Sequence, residues 1–355
     1  MEFYVLNTDF EILAIVDSYK SAIWTERYFT TGDFELYLAA TDANLNLFKR
    51  HYYVVRQDNP EKAMIVETIR ITTSPEDGNY LIVSGRSVQS ILSRRIVWKQ
   101  TTFSGNVEKT IRRLVTESMI APEEQGRAIQ NFILGTEAGL TDTLKIQFTG
   151  DNIEEIIQKL CMKYKIGYRV KMDVLRHGFI FEIYKGVDRS FAQNTNPFVV
   201  FSNDFENLLS SDYSNDNRDY KNVAQIAGEG HGTARKKVVV GTETGISRFE
   251  TFINASDLST NEGEISATDY GNILKQRGSE KLSEMSAVET LESTIEPNTL
   301  YKLNQDYFLG DIIEIVDEYG HSYAPRITEV IECQDDTGYS CYPTFAIDED
   351  NAEVV

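Results

Sequence analysis

The sequence has few of the residues that build covalent or metal-held frameworks. Its 355 residues include four histidines and three cysteines. Three cysteines are too few for the disulfide framework of a small secreted protein. Cys161 lies in a predicted helical stripe, where a buried thiol is expected. Cys333 and Cys341 flank a predicted turn, and the hairpin register that decides whether they face each other stays open. We expect all three cysteines to be reduced.

Long apolar runs are also absent. No stretch of 18 or more apolar residues occurs, so we expect no membrane insertion by this chain. The amino terminus, MEFYVLNTDFEILAIVD, has no basic region of the kind that begins a secretory signal peptide. The sequence therefore predicts a protein that folds in the cytoplasm of the cell that makes it.

Recognisable catalytic and metal-binding motifs are missing as well. No pair of histidines has the H-E-x-x-H spacing, and we expect all four on loops or at the surface: His51, His177, His231 and His321. No G-x-S-x-G elbow occurs. Because the chain has 55 acidic residues, a pair of carboxylates can arise anywhere by chance. We predict no catalytic, cofactor-binding or metal-binding residues.

Two stretches resemble ligand loops at first sight. GEGHGTARKKVVVG combines glycines with Arg235 and Lys236, but it runs into a strand pattern and not into the helix that a phosphate loop requires. A hairpin loop between two strands is the better interpretation. DYSNDNRDY, counted from Asp212, has Asn217 where a calcium loop needs glycine and Val223 where it needs glutamate. We therefore predict neither a phosphate loop nor a calcium loop.

The chain is short of positive charge. It has 55 Asp and Glu against 35 Lys and Arg, which leaves a formal net charge of −20 at pH 7. Specific binding to nucleic acid needs a basic face that displaces counterions, so we do not expect it. The acidic excess is either an ordinary solvated surface or the lining of a passage through which DNA slides without sticking.

Short strand patterns dominate what is present. The first hundred residues contain a series of them, from FYVLN to YLIVSG, with turn signals at TTGD, DNPE and SPEDGN. One short helical pattern, TDANLNLFKR, interrupts the series. Strands at this spacing predict a small antiparallel barrel or sandwich.

Longer helical patterns come as insertions. GNVEKTIRRLVTESM has an apolar helical stripe. In DNIEEIIQKLCMKYKIG we predict Asp151 as the N-cap, Glu154 as its capping-box partner and Gly167 as the C-terminal stop. The patterns YRVKMDV and FIFEIYKG then predict a hairpin, and DYGNILKQRGSEKLSEM predicts a second long helix.

The predicted fold is mainly β with α+β insertions: two small antiparallel β-barrels, an inserted α+β subdomain and a long helix. A chain of 355 residues is more than one core usually serves. The predicted segments are 1–103 for the first barrel domain, 104–195 for the inserted α+β domain, 196–262 for the first part of the second barrel domain, 263–288 for a helical insertion and 289–355 for the closing strands of the second barrel.

Several stretches resemble one family of phage tail proteins. They include SAIWTERYFTTGDFELYL, ILSRRIVWKQTTFSGNVEKTIRRLV, TGDNIEEIIQKLCMKYKIGYRV and DYFLGDIIEIVDEYG. In this order and without large gaps, they are similar to siphovirus tail proteins of the ReqiPepy6 type, which resemble the baseplate hub of contractile phages in architecture.

The resemblance implies a structural subunit of the tail tip or baseplate hub, in a phage or a phage-derived bacteriocin, and no enzyme. Three copies would form a ring in which six barrels imitate a hexamer. The ring would join the tail tube or distal tail protein on one face to a spike, fibre or tape-measure protein on the other. Assembly would take place in the bacterial host cytoplasm, and acidic residues would line the lumen.

The stretch DIIEIV near the carboxyl end belongs to the strands that would close the second barrel, where Gly310 and Asp311 turn the chain into the strand. Ile313 and Ile315 alternate with Ile312 and Val316, so both faces are apolar. We therefore expect core on one face and a neighbouring subunit or domain on the other.

Two alternative functions remain open from the sequence. A receptor-binding or cell-wall carbohydrate-binding tail protein would use exposed aromatic side chains against sugars. A peptidoglycan hydrolase would need an acid and a nucleophile in one cleft.

Overall fold

The computed structural model describes residues 1–74, 78–261, 263–286, 288–295 and 300–346. The fold is mainly β, as the sequence predicts. No helix in the described residues is long and apolar enough to cross a membrane. The amino-terminal elements are β1 (Phe3–Leu6), β2 (Ile12–Val16), β3 (Ser21–Arg27), β4 (Asp33–Ala39), α1 (Asp42–Leu47), β5 (Tyr53–Arg56), β6 (Ala63–Ser74) and β7 (Gly78–Ser87).

The middle of the chain alternates strands with helices. Its elements are β8 (Thr101–Asn106), α2 (Val107–Val115), β9 (Phe132–Leu134), β10 (Thr143–Phe148), α3 (Ile153–Tyr164), β11 (Gly167–Asp173) and β12 (Gly178–Tyr184). β11 and β12 form the predicted antiparallel hairpin.

The last part of the chain returns to strands, with one long helix among them. Its elements are β13 (Val200–Ser202), β14 (Leu208–Asp216), β15 (Val223–Ala227), β16 (Lys237–Val240), β17 (Glu250–Asn254), α4 (Ala267–Ser283), β18 (Val288–Ile295), β19 (Glu314–Val316), β20 (Ser322–Tyr323), β21 (Arg326–Asp335) and β22 (Gly338–Ala346). The predicted helix of DYGNILKQRGSEKLSEM is confirmed as α4.

One sheet connects the two ends of the chain. Its eleven strands run in the order β14-β18-β22-β21-β3-β4-β7-β6-β5-β1-β2. β21 pairs antiparallel with β3, with Glu332 opposite Trp24. The carboxyl-terminal hairpin therefore extends the sheet that the first strands begin. The remaining strands form small sheets: β10-β8, β11-β12-β9, β13-β19-β20 and β16-β15-β17.

The amino-terminal half of this sheet curls around its own core. Phe3 on β1 stacks on Trp24 of β3 with ring centroids 5.7 Å apart, although β4, β7, β6 and β5 separate these strands in the hydrogen-bonded order. The core inside the curl consists of buried apolar side chains, among them Phe3, Val5, Trp24, Phe34, Leu36, Leu38, Val54, Met64, Val66, Leu81 and Val83. The curl is barrel-like in shape, and the two closed barrels stay a prediction.

Three further apolar clusters complete the interior. The largest packs α2 and α3 against the neighbouring strands, with Ile111, Ile157 and Phe181 among its fully buried members. A second lies under β19, β21 and β22. In the third, β15 and β17 pack against α4 through Ile226, Ile253 and other side chains. The predicted second barrel included β15, β16 and β17, but these strands form a sheet of their own outside the eleven-stranded one.

The ends of α3 differ from the prediction by one or two residues. The N-cap is Asn152 and not Asp151, because the Asn152 side chain accepts hydrogen bonds from the amides of Glu154 and Glu155. Asp151 instead accepts one from the Thr149 amide, 2.9 Å away. At the other end, Lys165 takes the left-handed conformation that we predicted for a glycine stop. Gly167 already belongs to β11.

Tyr28, directly after β3, joins three parts of the fold. Its ring is fully buried, and burial raises the pKa of its hydroxyl to about 12. The Gly186 amide donates to this hydroxyl at 3.2 Å. A Cβ atom at Gly167 or Gly310 would lie within 2.3 Å of the ring, so only glycine allows these two segments to pack on it. Gly310 also has a φ of +94°, which confirms the predicted turn there.

Candidate assembly interface

The two end strands of the eleven-stranded sheet are the most open parts of the backbone. β2 pairs only with β1, and β14 pairs only with β18, within the described chain. Each therefore leaves one row of amide and carbonyl groups without a strand partner. Folded proteins usually protect such edges, because an open edge pairs readily with another chain.

The β2 edge exposes large apolar side chains on both faces. Ile12 is 55% exposed, Leu13 45% and Ile15 55%. Ile12 and Leu13 point to opposite faces, since side chains alternate along a strand. Only Val16, at the end of the strand, is buried. An open backbone edge and an adjacent apolar surface together favour docking of another chain.

The β14 edge has the same character. Leu209 is 58% exposed and Tyr213 45%. The Tyr213 ring stacks on Tyr323 with centroids 5.6 Å apart, which fixes its position. At the last residue of the strand, hydrogen bonds from Arg218 lower the pKa of Asp216 to about 2, so this carboxylate stays charged.

A third open segment lies on β6. β5 pairs with β6 only along Ala63–Ile65, whereas β6 continues to Ser74 beside β7 alone. The outer half carries Ile69 and Ile71, which are 36% and 59% exposed. We call β2, β14 and the outer half of β6 the open edges of the sheet.

The stretch Ile312–Val316 is covered mainly by its own chain. Ile313 and Ile315 are fully buried in the core, as expected. On the other face, the Phe191 amide donates to Glu314 at 2.8 Å. The Ile312 amide donates to the Val187 carbonyl at 3.0 Å. The segment that follows β12 therefore covers this face, and it belongs to the predicted inserted domain 104–195 of the same chain.

The histidines that the sequence offers as catalytic or metal-binding candidates do not lie together in the fold. All four histidines are exposed and lie on different loops or turns: His51, His177, His231 and His321. No group of three metal-ligating side chains is found in the residues that the structure describes. The first five residues of DYSNDNRDY, from Asp212 to Asp216, belong to strand β14.

The glycine-rich stretch is a hairpin connection, as predicted. β15 and β16 pair antiparallel on either side of it. Arg235 donates to the carbonyls of Ala227 and Gly228, both at 2.7 Å. These two bonds hold the Arg235 side chain against the end of β15.

The three cysteines are free thiols. Cys333 lies opposite Ser340, and Cys341 lies opposite Glu332. Their side chains therefore point to different faces of the hairpin. Burial raises the pKa of the Cys341 thiol to about 12, which leaves it protonated and unreactive.

A buried ion pair that the sequence does not reveal holds the two ends of the chain together. Arg56 on β5 lies 3.0 Å from Glu332 on β21, and both side chains are less than 10% exposed. Tyr339 donates to the other oxygen of Glu332 at 2.8 Å. Burial and this carboxylate raise the pKa of Tyr339, so it stays a donor. Arg56 also donates to Asp58 at 2.8 Å.

One cleft is lined by charges that pair with one another. It has a volume of about 300 Å³ and lies between the sheet and the β11–β12 hairpin. Lys62 pairs with Glu26 at 2.7 Å, and Arg169 pairs with Glu182 at 2.8 Å. Each of these pairs lies within one part, whereas Lys171 of β11 pairs with Glu61 across the two parts at 3.1 Å.

Comparisons with solved structures identify the fold. A tail protein from Neisseria meningitidis MC58 is similar to 98% of this chain over 97% of its own length, with a TM-score of 0.60 and 14% identity. A tail protein of prophage MuSo2 from Shewanella oneidensis matches 97% of this chain and 98% of its own, with a TM-score of 0.56 and 14% identity.

A third structure agrees with these two. Prophage tail protein gp18 from Listeria monocytogenes EGD-e matches 99% of this chain and 96% of its own, with a TM-score of 0.56 and 11% identity. At such low identity, these likenesses concern the fold. No curated protein sequence matches the chain. The sequence profile of one family, described as Siphovirus ReqiPepy6 Gp37-like protein, matches residues 2–345. The chain therefore belongs to the siphovirus ReqiPepy6 Gp37-like family.

Proposed function

We propose that this chain is a structural subunit of the tail tip or baseplate hub of a phage or phage-tail-like particle. The observation that carries the proposal is the eleven-stranded sheet with an open, apolar strand at each end. Family membership over residues 2–345 and a fold shared with three tail proteins support it.

We propose further that three copies join into a ring with pseudo-sixfold symmetry. Contacts between different surfaces of identical chains close into rings when the rotation between neighbours permits. β2 and β14 are different surfaces, and addition of one strand edge to another satisfies the backbone groups of both. In the ring, β2 of one copy would pair with β14 of the next.

The ring would bind unlike partners on its two faces. We propose the tail tube or distal tail protein on one face and a spike, fibre or tape-measure protein on the other, at the tail tip of a particle assembled in the host cytoplasm. The net charge of −20 supports an acidic lumen that DNA passes without specific binding. The proposed role is structural and not enzymatic, and membership of a phage tail protein family supports it.

The test is the mass of the full chain in solution, by light scattering, alone and mixed with the tail proteins encoded beside it. We expect three copies per particle. Ile15→Lys on β2 and Leu209→Lys on β14 should leave single chains with unchanged thermal stability, because a charge at either edge opposes pairing. The matched control is Leu175→Lys, since Leu175 is 94% exposed in the β11–β12 turn, and it should assemble normally.

Two results would contradict the proposal at different levels. A wild-type chain that stays single, alone and with every neighbouring tail protein, would reject the ring, and binding to host cells or wall polysaccharide would then be tested. A ring that forms equally well in both edge variants would reject pairing of β2 with β14.

A further inference from the structure

Three arginines lie together on the surface of the middle part of the chain. Arg94 ends the helical turn Val88–Arg94, Arg95 follows it, and Arg127 ends the turn Gln125–Arg127. The Arg95 side chain donates to the carbonyls of Arg94 and Arg127, both at 2.9 Å. Burial and the charges of its two neighbours lower the pKa of Arg95. The three positive charges therefore lie close enough to repel one another.

The cluster is unusual in a chain with so many carboxylates. Elsewhere, arginines commonly lie beside acids, as Arg86 does with Glu67 at 2.8 Å and Arg113 with Glu117 at 2.6 Å. In the described part of the chain, neither Arg94, Arg95 nor Arg127 forms an ion pair with a carboxylate. With 55 acidic residues available, three adjacent arginines without an acidic partner leave a local positive charge that an external acid can neutralise.

Exposed apolar side chains lie next to these cations. Trp98 is 59% exposed and Ile96 39%. The Arg127 guanidinium lies 5.0 Å from the centre of the Trp98 ring, within the range of a cation–π contact. We call Arg94, Arg95, Ile96, Trp98 and Arg127 the arginine patch. Tryptophan and arginine are the residues that most often dominate the binding energy of protein interfaces.

The backbone holds the arginine patch rigidly. The Val97 amide donates to the Asp151 carbonyl at 2.9 Å, and the Ile153 amide donates to the Arg95 carbonyl at 3.0 Å. Arg127 also donates to the Ile96 carbonyl at 2.7 Å. The segment is therefore fixed to the start of α3. A surface that is already ordered loses little conformational entropy when it binds.

We propose that the arginine patch is a contact between neighbouring copies of this chain, where it binds an acidic face of the next subunit. The proposal rests on the ring proposed above. Copies that each carry a charge of −20 repel one another, so a ring needs local sites of opposite charge. In a contact between unlike surfaces, the arginine patch of one copy meets a different and acidic surface of its neighbour.

The first test compares substitutions that reverse or remove the contact in the full-length chain. Arg94→Glu and Trp98→Ser should each raise the concentration at which half of the rings dissociate by about tenfold or more, as expected for central interface residues. Arg94 and Trp98 are both exposed, so circular dichroism should show an unchanged fold. Arg50→Glu makes the same charge change at an exposed arginine outside the patch, and it should change the dissociation less than about threefold, as a peripheral charge does.

The second test identifies the occupant directly. Trp98 is replaced by the photo-reactive residue benzoylphenylalanine, and rings are irradiated with and without the neighbouring tail proteins. A crosslink between two copies of the chain supports the proposal. A crosslink only to a different tail protein, or none in an intact ring, overturns it.

The outcomes separate this proposal from the ring itself. If the wild-type chain forms no ring under any condition, the proposed function fails and the contact fails with it. If the ring forms and Arg94→Glu and Trp98→Ser both dissociate like Arg50→Glu, the ring stands and the arginine patch is rejected as its contact.

Discussion

At the residue scale, the buried pair of Arg56 and Glu332 makes a clear prediction about stability. Both side chains are less than 10% exposed, and removal of Glu332 leaves the buried Arg56 guanidinium with Asp58 as its remaining acidic partner and the Tyr339 hydroxyl without this acceptor. We expect Glu332→Ala to lower the free energy of unfolding by about 2 kcal/mol, because a charge-assisted hydrogen bond is lost and a buried donor loses its acceptor. Glu332→Gln, which keeps the acceptor oxygen for Tyr339, should have a smaller effect.

Urea unfolding followed by tryptophan fluorescence measures this change. Trp24 is 1% exposed and lies beside the pair, with the Arg56 guanidinium 5.8 Å from its ring. A Trp98→Phe background makes Trp24 the single reporter. The control is Glu250→Ala, which breaks the exposed pair of Glu250 with Arg248 and should change stability by less than about 1 kcal/mol. Equal effects of Glu332→Ala and Glu250→Ala would show that the buried pair is not a stabilising contact.

The sequence does not reveal this pair, for a physical reason. Arg56 and Glu332 are 276 residues apart, and they meet because β21 joins the sheet at β3. No local pattern of charge or periodicity encodes such a meeting. By contrast, the exposure of the histidines and the hairpin at the glycine-rich stretch depend on local turn chemistry, and both predictions are confirmed.

At the scale of single elements, the corrected end of α3 can be tested. Asn152 caps the helix, whereas the predicted cap, Asp151, accepts a bond from the Thr149 amide. Asn152→Ala should lower the free energy of unfolding by about 1 kcal/mol, since it removes an N-cap acceptor. Asp151→Ala should lower it by less. Urea unfolding followed by far-ultraviolet circular dichroism compares the two, and a larger loss for Asp151→Ala would contradict the assignment.

The sequence predicted the presence of helices and hairpins better than it predicted where a helix ends or which strands pair. The apolar periodicity of α3 and α4 and the hairpin of β11 with β12 are strong local signals, and the structure confirms them. The cap shifted by one residue because Asp151 and Asn152 are both good caps. The separate sheet of β15, β16 and β17 could not be foreseen, because strand patterns do not state which strands pair.

At the scale of the whole molecule, the open edges of the sheet and the acidic surface act in opposite directions. The exposed apolar strands β2 and β14 favour association. The charge of −20 on each copy opposes it. The sequence alone showed the charge and the resemblance to a tail protein family. It could not show the open edges, because they follow from the order of eleven strands that lie far apart in the chain.

The balance between these forces predicts how assembly depends on salt. The Debye length falls from about 30 Å at 0.01 M to about 8 Å at 0.15 M ionic strength, so added salt screens the repulsion between copies while the apolar edges remain attractive. The concentration at which half of the rings dissociate should therefore fall over this range, as measured by light scattering. Arg94→Glu places another negative charge in the proposed contact. The concentration at which half of its rings dissociate should therefore approach that of Arg50→Glu as salt is added. A wild-type ring that weakens steadily over the same range would mean that ion pairs between copies, and not the apolar edges, dominate the assembly.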